Sequence, residues 1–387
     1  MTEYTHFPQE RVYFGEPFDE ALMREVDRHG ERRVFLLASA SLTANTDCVA
    51  QLQRVLGSRY AGVATGMPSH TPRESVLEMA AAARDADADL IVTFGGGSLT
   101  DAGKMVRLCL QHNISEHEGF EPFRVVIDAN GRTYRPQYAA PCVAQVTIPT
   151  TLSAGEFGIA AGCTDSRAHE KQSYRHEALI PQAVILNPEV TVHTPQWLWL
   201  STGMRAVDHC VETICSPQSN DQSDGAALNG LRLLADGLPR CMDDPEDLES
   251  RLKCQIGAWQ SMEHNQSGVS MGASHGIGHV LGGTCNVPHG HTSCVMLPAT
   301  LRWNVSVNAQ RQALVSAAMG HPGVPAGDVI EDFVASLGQP TRLSAVGVSE
   351  EHFGEVARHA MHDRYIHTNP RPITSAEDII QILELAR

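Results

Sequence analysis

Three imidazoles within fifteen residues mark the stretch best suited to chemistry: His275, His279 and His289, set among glycines between Gly272 and Gly290. His275 and His279 are four apart, so a helix places them on one face, one turn above the other. Gly282 and Gly283 read as that helix's end. Pro288 then breaks the chain and leaves His289 where a new helix can start. Converging imidazoles suit metal binding or proton transfer near neutral pH. Any single one is more often a hydrogen-bonded core histidine; three among glycines favour a site.

A second candidate lies earlier. The apolar run Asp89–Phe94 leads straight into Gly95-Gly-Gly-Ser98 and a helical stretch holding Asp101 and Lys104. Strand, glycine turn, then helix leaves backbone N–H groups and a helix dipole for a pyrophosphate. The turn is neither G-x-G-x-x-G nor a P-loop, since Lys104 lies beyond that motif's spacing. An ordinary tight βα turn is the competing reading. Asp101 and Lys104 either pair as surface charges or help fix a nicotinamide ribose or a substrate. Thr150 and Thr151 follow another strand end, where hydroxyls bond an adenine or ribose, or cap the next helix. Arg205 and His209 share a helix face, flanked by Asp208 and Glu212; a solvated face is the competing reading, against which the neighbours Ala206, Val207, Cys210 and Val211 are largely apolar. His264, His291, His359, His362 and His367 are unplaced, with His291 the nearest spare.

The elements that position these residues fall into two halves. Residues 33–38, 60–64, 89–94, 143–148 and 182–186 read as strands, the buried ones as short apolar runs. Residues 46–57 and 72–86 read as helices between them, with Pro72 suited to a first turn. Residues 111–141 break the rhythm and read as an inserted hairpin turning at Asp128–Arg132. From about residue 190 the apolar spacing is helical, over 200–215, 224–238, 247–264, 330–337 and 376–386. The expectation is an α/β dinucleotide-binding domain over 1–190, with its insertion, and an all-α domain over 191–387 carrying the histidines.

The chain's 387 residues allow two domains with ample core. A net charge of −16 argues against nucleic acid or anionic membrane as partner. No apolar run is long enough for a membrane span, and the first residues lack a signal peptide's pattern. Ten scattered cysteines without a C-x-x-C pair suit a reduced, cytoplasmic protein.

Taken together, Gly95-Gly-Gly-Ser98 with Asp101 and Lys104, Pro149-Thr-Thr151, Gly203–His209 and the His275, His279, His289-Gly290 array resemble the iron-dependent, or group III, alcohol dehydrogenases in order along nearly the whole chain. His70-Thr-Pro72, Pro149–Glu156 and His279–Gly283 look most like maleylacetate reductases. The resemblance implies a dehydroquinate synthase-like architecture with the active site in the cleft between the domains. It implies NAD(H) or NADP(H) held by Gly95, Gly96, Gly97, Ser98, Asp101, Lys104, Thr150 and Thr151, a small-molecule substrate and a homodimer. The family's metal site of one Asp and three His carries over to His209, His275 and His289, with Arg205 where the Asp belongs. Asp208, next along the helix, points about 100° away from His209. A guanidinium repels a cation, which puts bound iron or zinc in doubt. The activity implied is NAD(P)H-dependent reduction of a ketone or aldehyde, with maleylacetate or a related oxo-carboxylate the closest substrate. His279 or His275 would donate the proton, and Arg205 would hold the oxyanion or a substrate carboxylate. The alternatives are a metal-dependent alcohol or aldehyde dehydrogenase, a dehydroquinate synthase-type lyase, and a non-catalytic nucleotide-binding relative.

Overall fold

The strands of this computed structural model, which describes residues 3–30, 32–127, 133–168 and 170–387, all lie before residue 187. In chain order they are β1 (Arg11–Phe14), β2 (Val34–Ala38), β3 (Tyr60–Thr65), β4 (Leu90–Gly95), β5 (Val126–Ile127), β6 (Thr133–Tyr134), β7 (Ala144–Pro149), β8 (Ala160–Asp165), β9 (Glu170–Arg175) and β10 (Ala183–Leu186). Six form one parallel sheet in the order β1-β10-β7-β4-β2-β3.

Side chains alternate across this sheet, and both faces are covered. Leu36, Val92, Phe94 and Ile148 pack with helices Phe18–Arg28 and Cys48–Leu56. Phe35, Leu37 and Ile91 pack with helices Arg73–Asp85 and Gly97–His112. That explains why β2 and β4 read as unbroken apolar runs. From β2 the chain steps outward to β3, then returns to β4 on the other side of β2. This reversal opens a crevice at the carboxyl ends of β2 and β4, the usual ligand position in such sheets.

Two features were not foreseen. β1 adds a sixth strand at the edge, and β8 pairs β9 in an antiparallel hairpin. Their mixed exposure and polar residues hide them from a search for apolar runs. In the insertion, β5 pairs β6 antiparallel; the turn expected at Asp128–Arg132 lies outside the described residues.

The chain divides into two compact units, residues 7–194 and residues 195–387 with 1–6. Within the second, Thr5 N–H donates to the Gln266 carbonyl and the Tyr4 hydroxyl to Glu263. The second unit is helical, with Gln196–Cys215, Asp221–Asp243, Leu248–Ser261, Ala273–Cys285 and His289–Ala318 its longest helices. Helix Ala273–Cys285 runs through Gly282 and Gly283, correcting the stop expected there. Its left-handed C-cap is Asn286, at φ 53°. An asparagine tolerates that conformation, so two interior glycines need not end a helix. No helix among the described residues is long and apolar enough to cross a membrane.

Candidate active site

Each unit carries one cluster of candidate residues. In the α/β unit, the Ser39 N–H donates to the Phe94 carbonyl and the Thr150 N–H to the Gly95 carbonyl, joining the ends of β2, β4 and β7. Gly95 through Ser98 therefore lie beside Thr150 and Thr151, at the sheet's reversal. A Cβ on Gly95 would sit 2.4 Å from Leu99 Cδ1, and one on Gly97 would sit 2.7 Å from Ser153 Oγ. The glycines permit this close packing, and the first N–H groups of helix Gly97–His112 have no acceptor within the helix. The Thr151 hydroxyl lies 3.4 Å from Ser153 Oγ. Ser153 was missed because nothing in its spacing sets it apart.

Lys104 corrects the reading of that residue as a cofactor contact. Its side chain is fully buried, and Nζ donates to the carbonyls of Gly155, Gly158 and Ala160 at 2.7–2.8 Å. Three bonds use all three ammonium protons. Lys104 thus fastens the loop that carries Thr150, Thr151 and Ser153. Burial pushes it down to about 8, and pushes its neighbour Glu156 up to about 7. Asp101 Oδ2 accepts the Gly162 N–H at 3.1 Å, so it too holds the β8 end of this loop.

In the helical unit, helix Gln196–Cys215 is buried on every side from Trp199 onward apart from Thr202. That corrects the placing of Asp208 away from the site. Inside a helix packed all round, neighbours 100° apart both meet other side chains. Asp208 Oδ2 accepts from the Ser274 and Ser293 hydroxyls and lies 3.4 Å from His275 Nδ1. Glu212 Oε2 is 2.7 Å from the same Nδ1, and its two oxygens accept the Gly272 and Ser274 N–H groups. Asp208, Glu212 and His275 place ligand-type atoms within 4.8 Å of one another, the one such group among the described residues. The doubt that Arg205 cast on a metal is corrected to this extent: carboxylates stand at 208 and 212 with His275.

The sequence-derived trio is brought together in part. His209 stacks on His275 at 4.8 Å, and His264, unplaced before, lies 5.7 Å from His209. His289 instead stacks on His279 at 6.0 Å. His279 is part-exposed, with Nδ1 2.8 Å from Asp363 Oδ2 and Tyr365 at 5.6 Å. His291 packs on Trp197, and His367 Nε2 bonds the Met361 carbonyl.

Burial sets the electrostatics. It pushes Asp208 up to about 6 against the pull of Arg205, and Glu212 up to about 8, helped by Asp208. His209 and His275 are held well below the usual histidine range, first by burial and then by Arg205. A buried carboxylate pair with neutral imidazoles favours a cation. Arg205 supplies one, 3.7 Å from Asp208. Its Nη1 donates to Ser293 Oγ at 3.1 Å, while Nε and Nη2 have no partner among the described residues. His275 Nε2, His209 Nδ1 and Asp208 Oδ1 are also buried and unpartnered. Such atoms accommodate an ion or a ligand's polar groups.

Comparison with known proteins decides the family. A model described as iron-containing alcohol dehydrogenase matches residues 8–188, and one described as the C-terminal part of the Fe-containing alcohol dehydrogenase family matches residues 199–387. The chain belongs to the iron-containing alcohol dehydrogenase family. It is 32% identical to maleylacetate reductase 2 of Cupriavidus pinatubonensis, over 98% of this chain and 95% of that one. It is 31% identical to 4-hydroxybutyrate dehydrogenase of Cupriavidus necator, over 94% of each. The crystal structure of maleylacetate reductase from Agrobacterium tumefaciens superposes with a TM-score of 0.82 at 28% identity, over 99% of this chain and 97% of that one. This member of the iron-containing alcohol dehydrogenase family is an NAD(P)-dependent oxidoreductase of the alcohol dehydrogenase and maleylacetate reductase type.

Proposed function

We propose that the enzyme reduces a small oxo-carboxylate, maleylacetate or a close analogue, at the expense of NADH or NADPH. The observation that carries this reading is Arg205, a buried guanidinium with Nε and Nη2 unpartnered beside neutral imidazoles. Hydride addition drives an electron pair onto the substrate's oxo oxygen. A simple ketone becomes an alkoxide; an oxo group conjugated to a double bond becomes an enolate. Preorganised donors stabilise either charge, and a fork of two N–H groups also suits a carboxylate. Both curated relatives described above are named for substrates that carry a carboxylate, which supports an anion-binding role for Arg205.

His279 is the proposed proton donor, because it is exposed, unlike the buried His209, His264 and His275, and its Nδ1 is held by Asp363. Nε2 is then the nitrogen that meets substrate. Gly95, Gly96, Gly97 and Ser98 are proposed to hold the cofactor pyrophosphate, with Thr150 and Thr151 beside it. Asp208, Glu212 and His275 are the residues that would hold a divalent ion. Such an ion, when bound, polarises the oxo group as a Lewis acid. That triad is the specific observation favouring the second reading, a metal-dependent alcohol or aldehyde dehydrogenase.

The deciding experiment is a screen of NADH and NADPH oxidation with maleylacetate, other oxo-acids and neutral aldehydes, on wild type and His279→Ala. The proposal expects oxo-acids to be preferred and kcat to fall by about two to four orders of magnitude in the variant. A preference for neutral aldehydes would overturn the substrate assignment, and normal turnover by the variant would remove His279 from the chemistry.

A further inference from the structure

We infer that Asp363 is the positioning residue for His279, fixing which imidazole nitrogen is presented for proton transfer. The inference rests on the reading of His279 as proton donor. The two residues lie 84 positions apart, and Asp363 Oδ2 is 2.8 Å from His279 Nδ1. A carboxylate accepts only, so Nδ1 keeps its hydrogen throughout; the proton to be donated is the second one, on Nε2 of the imidazolium, and its transfer to substrate leaves the neutral Nδ1–H ring.

The surroundings hold this geometry from several directions. Asp363 Oδ1 accepts the Tyr365 N–H at 2.8 Å, so neither oxygen is free to rotate away. The ring of Tyr365 lies against His279, and the Arg364 guanidinium stacks on Tyr365 at 4.5 Å. Further along the segment, the Thr368 hydroxyl donates to the Met271 carbonyl, and Asn369 Oδ1 accepts the Ala273 N–H. Ala273 begins the helix that carries His279. The segment is therefore tied to the helix at its start as well as at His279, and the dyad is set by two anchored elements. Burial works to raise the Asp363 carboxyl, yet His279 and the Tyr365 N–H outweigh it and hold it low, so the carboxylate is ionised at neutral pH.

The Asp363 environment makes Asp363→Asn a sharp test. The Tyr365 N–H claims the amide oxygen, so the amide nitrogen must face His279 Nδ1. An NH2 group donates there, so Nδ1 must keep a lone pair: the neutral ring carries its hydrogen on Nε2, the tautomer is inverted, and the imidazolium that donates the proton is disfavoured. Ring nitrogen NMR on protein labelled with 15N-histidine reads this directly, with the His279 signal assigned from His279→Gln. The expected result for the neutral ring is Nδ1–H in wild type and Nε2–H in Asp363→Asn. NADH oxidation with maleylacetate should show kcat lowered about a hundredfold with KM within about twofold. Wild type in the Nε2–H form, or an unchanged tautomer in Asp363→Asn, overturns the inference whatever the activity. A tautomer that inverts while His279→Ala turns over normally upholds the Asp363 contact and rejects His279 as the acid.

Discussion

Replacing Arg205 by glutamine removes a fixed charge from the centre of the helical unit while keeping some of its reach. Arg205 is 5% exposed, bonded through Nη1 to Ser293 and 3.7 Å from Asp208. If Nε and Nη2 bind a substrate carboxylate, the variant loses a charge-assisted interaction of about 1.5–3 kcal/mol. At about 1.4 kcal/mol per tenfold, that raises KM for an oxo-carboxylate by roughly 10- to 150-fold. A neutral aldehyde should change by less than about threefold. Stability should change with pH in a definite direction. Asp208 in the folded protein sits near 6, above its unfolded value of 3.8, so its ionisation already costs stability as pH rises through 6. Without Arg205 that value climbs further, so the added loss appears as pH rises above 6 and is absent below it. Urea denaturation at pH 5 and pH 8 should therefore show the variant's deficit larger at pH 8, by about 3 kcal/mol relative to wild type. Equal KM changes for acids and aldehydes would refute the anion-binding role. A deficit no larger at pH 8 than at pH 5 would refute the Arg205–Asp208 pairing.

Other expectations follow from the same geometry. Gly96→Val puts its Cβ 3.2 Å from Thr151 Cγ2 and its methyls over the turn. It should weaken NADH binding at least tenfold, about 1.4 kcal/mol, in a fluorescence titration; unchanged affinity with an intact fold would remove this turn from the cofactor site. Lys104→Met strands the carbonyls of Gly155, Gly158 and Ala160. Calorimetry should find it destabilised by about 3 kcal/mol or more, whereas a near-neutral change would mean the loop does not depend on the lysine. Calorimetric titration with Zn²⁺ should show affinity falling at least tenfold in His275→Ala, the residue shared by both carboxylates; equal affinity would place the ion elsewhere.

Much of the architecture was legible because it follows from local rules. β2 and β4 are apolar runs because helices cover both faces of the sheet, and a glycine turn at the end of β4 marks the crevice whatever the rest of the chain does. The spacing of His275 and His279 put them on one helix, and the structure keeps them there. Edge strand β1 and the β8–β9 hairpin escaped because half-exposed strands carry no apolar signature.

By itself the sequence determined which residue types were available, the α/β-then-helical order, and a cation at 205 four residues before His209. Tertiary structure alone decided what faces what. Helix Gln196–Cys215 is enclosed, so its helical angle did not predict that Asp208 would meet His275. Lys104 follows a glycine turn on the helix that opens there, where it read as a surface charge or a ribose or substrate contact, but its ammonium is consumed by three carbonyls more than fifty residues away. Asp363 lay 84 residues from the imidazole it holds, with no local signal to announce it. Helix and strand periodicity are properties of neighbours along the chain. The partner of a buried charge is settled when distant elements pack, because only then is water excluded and each polar atom must find another.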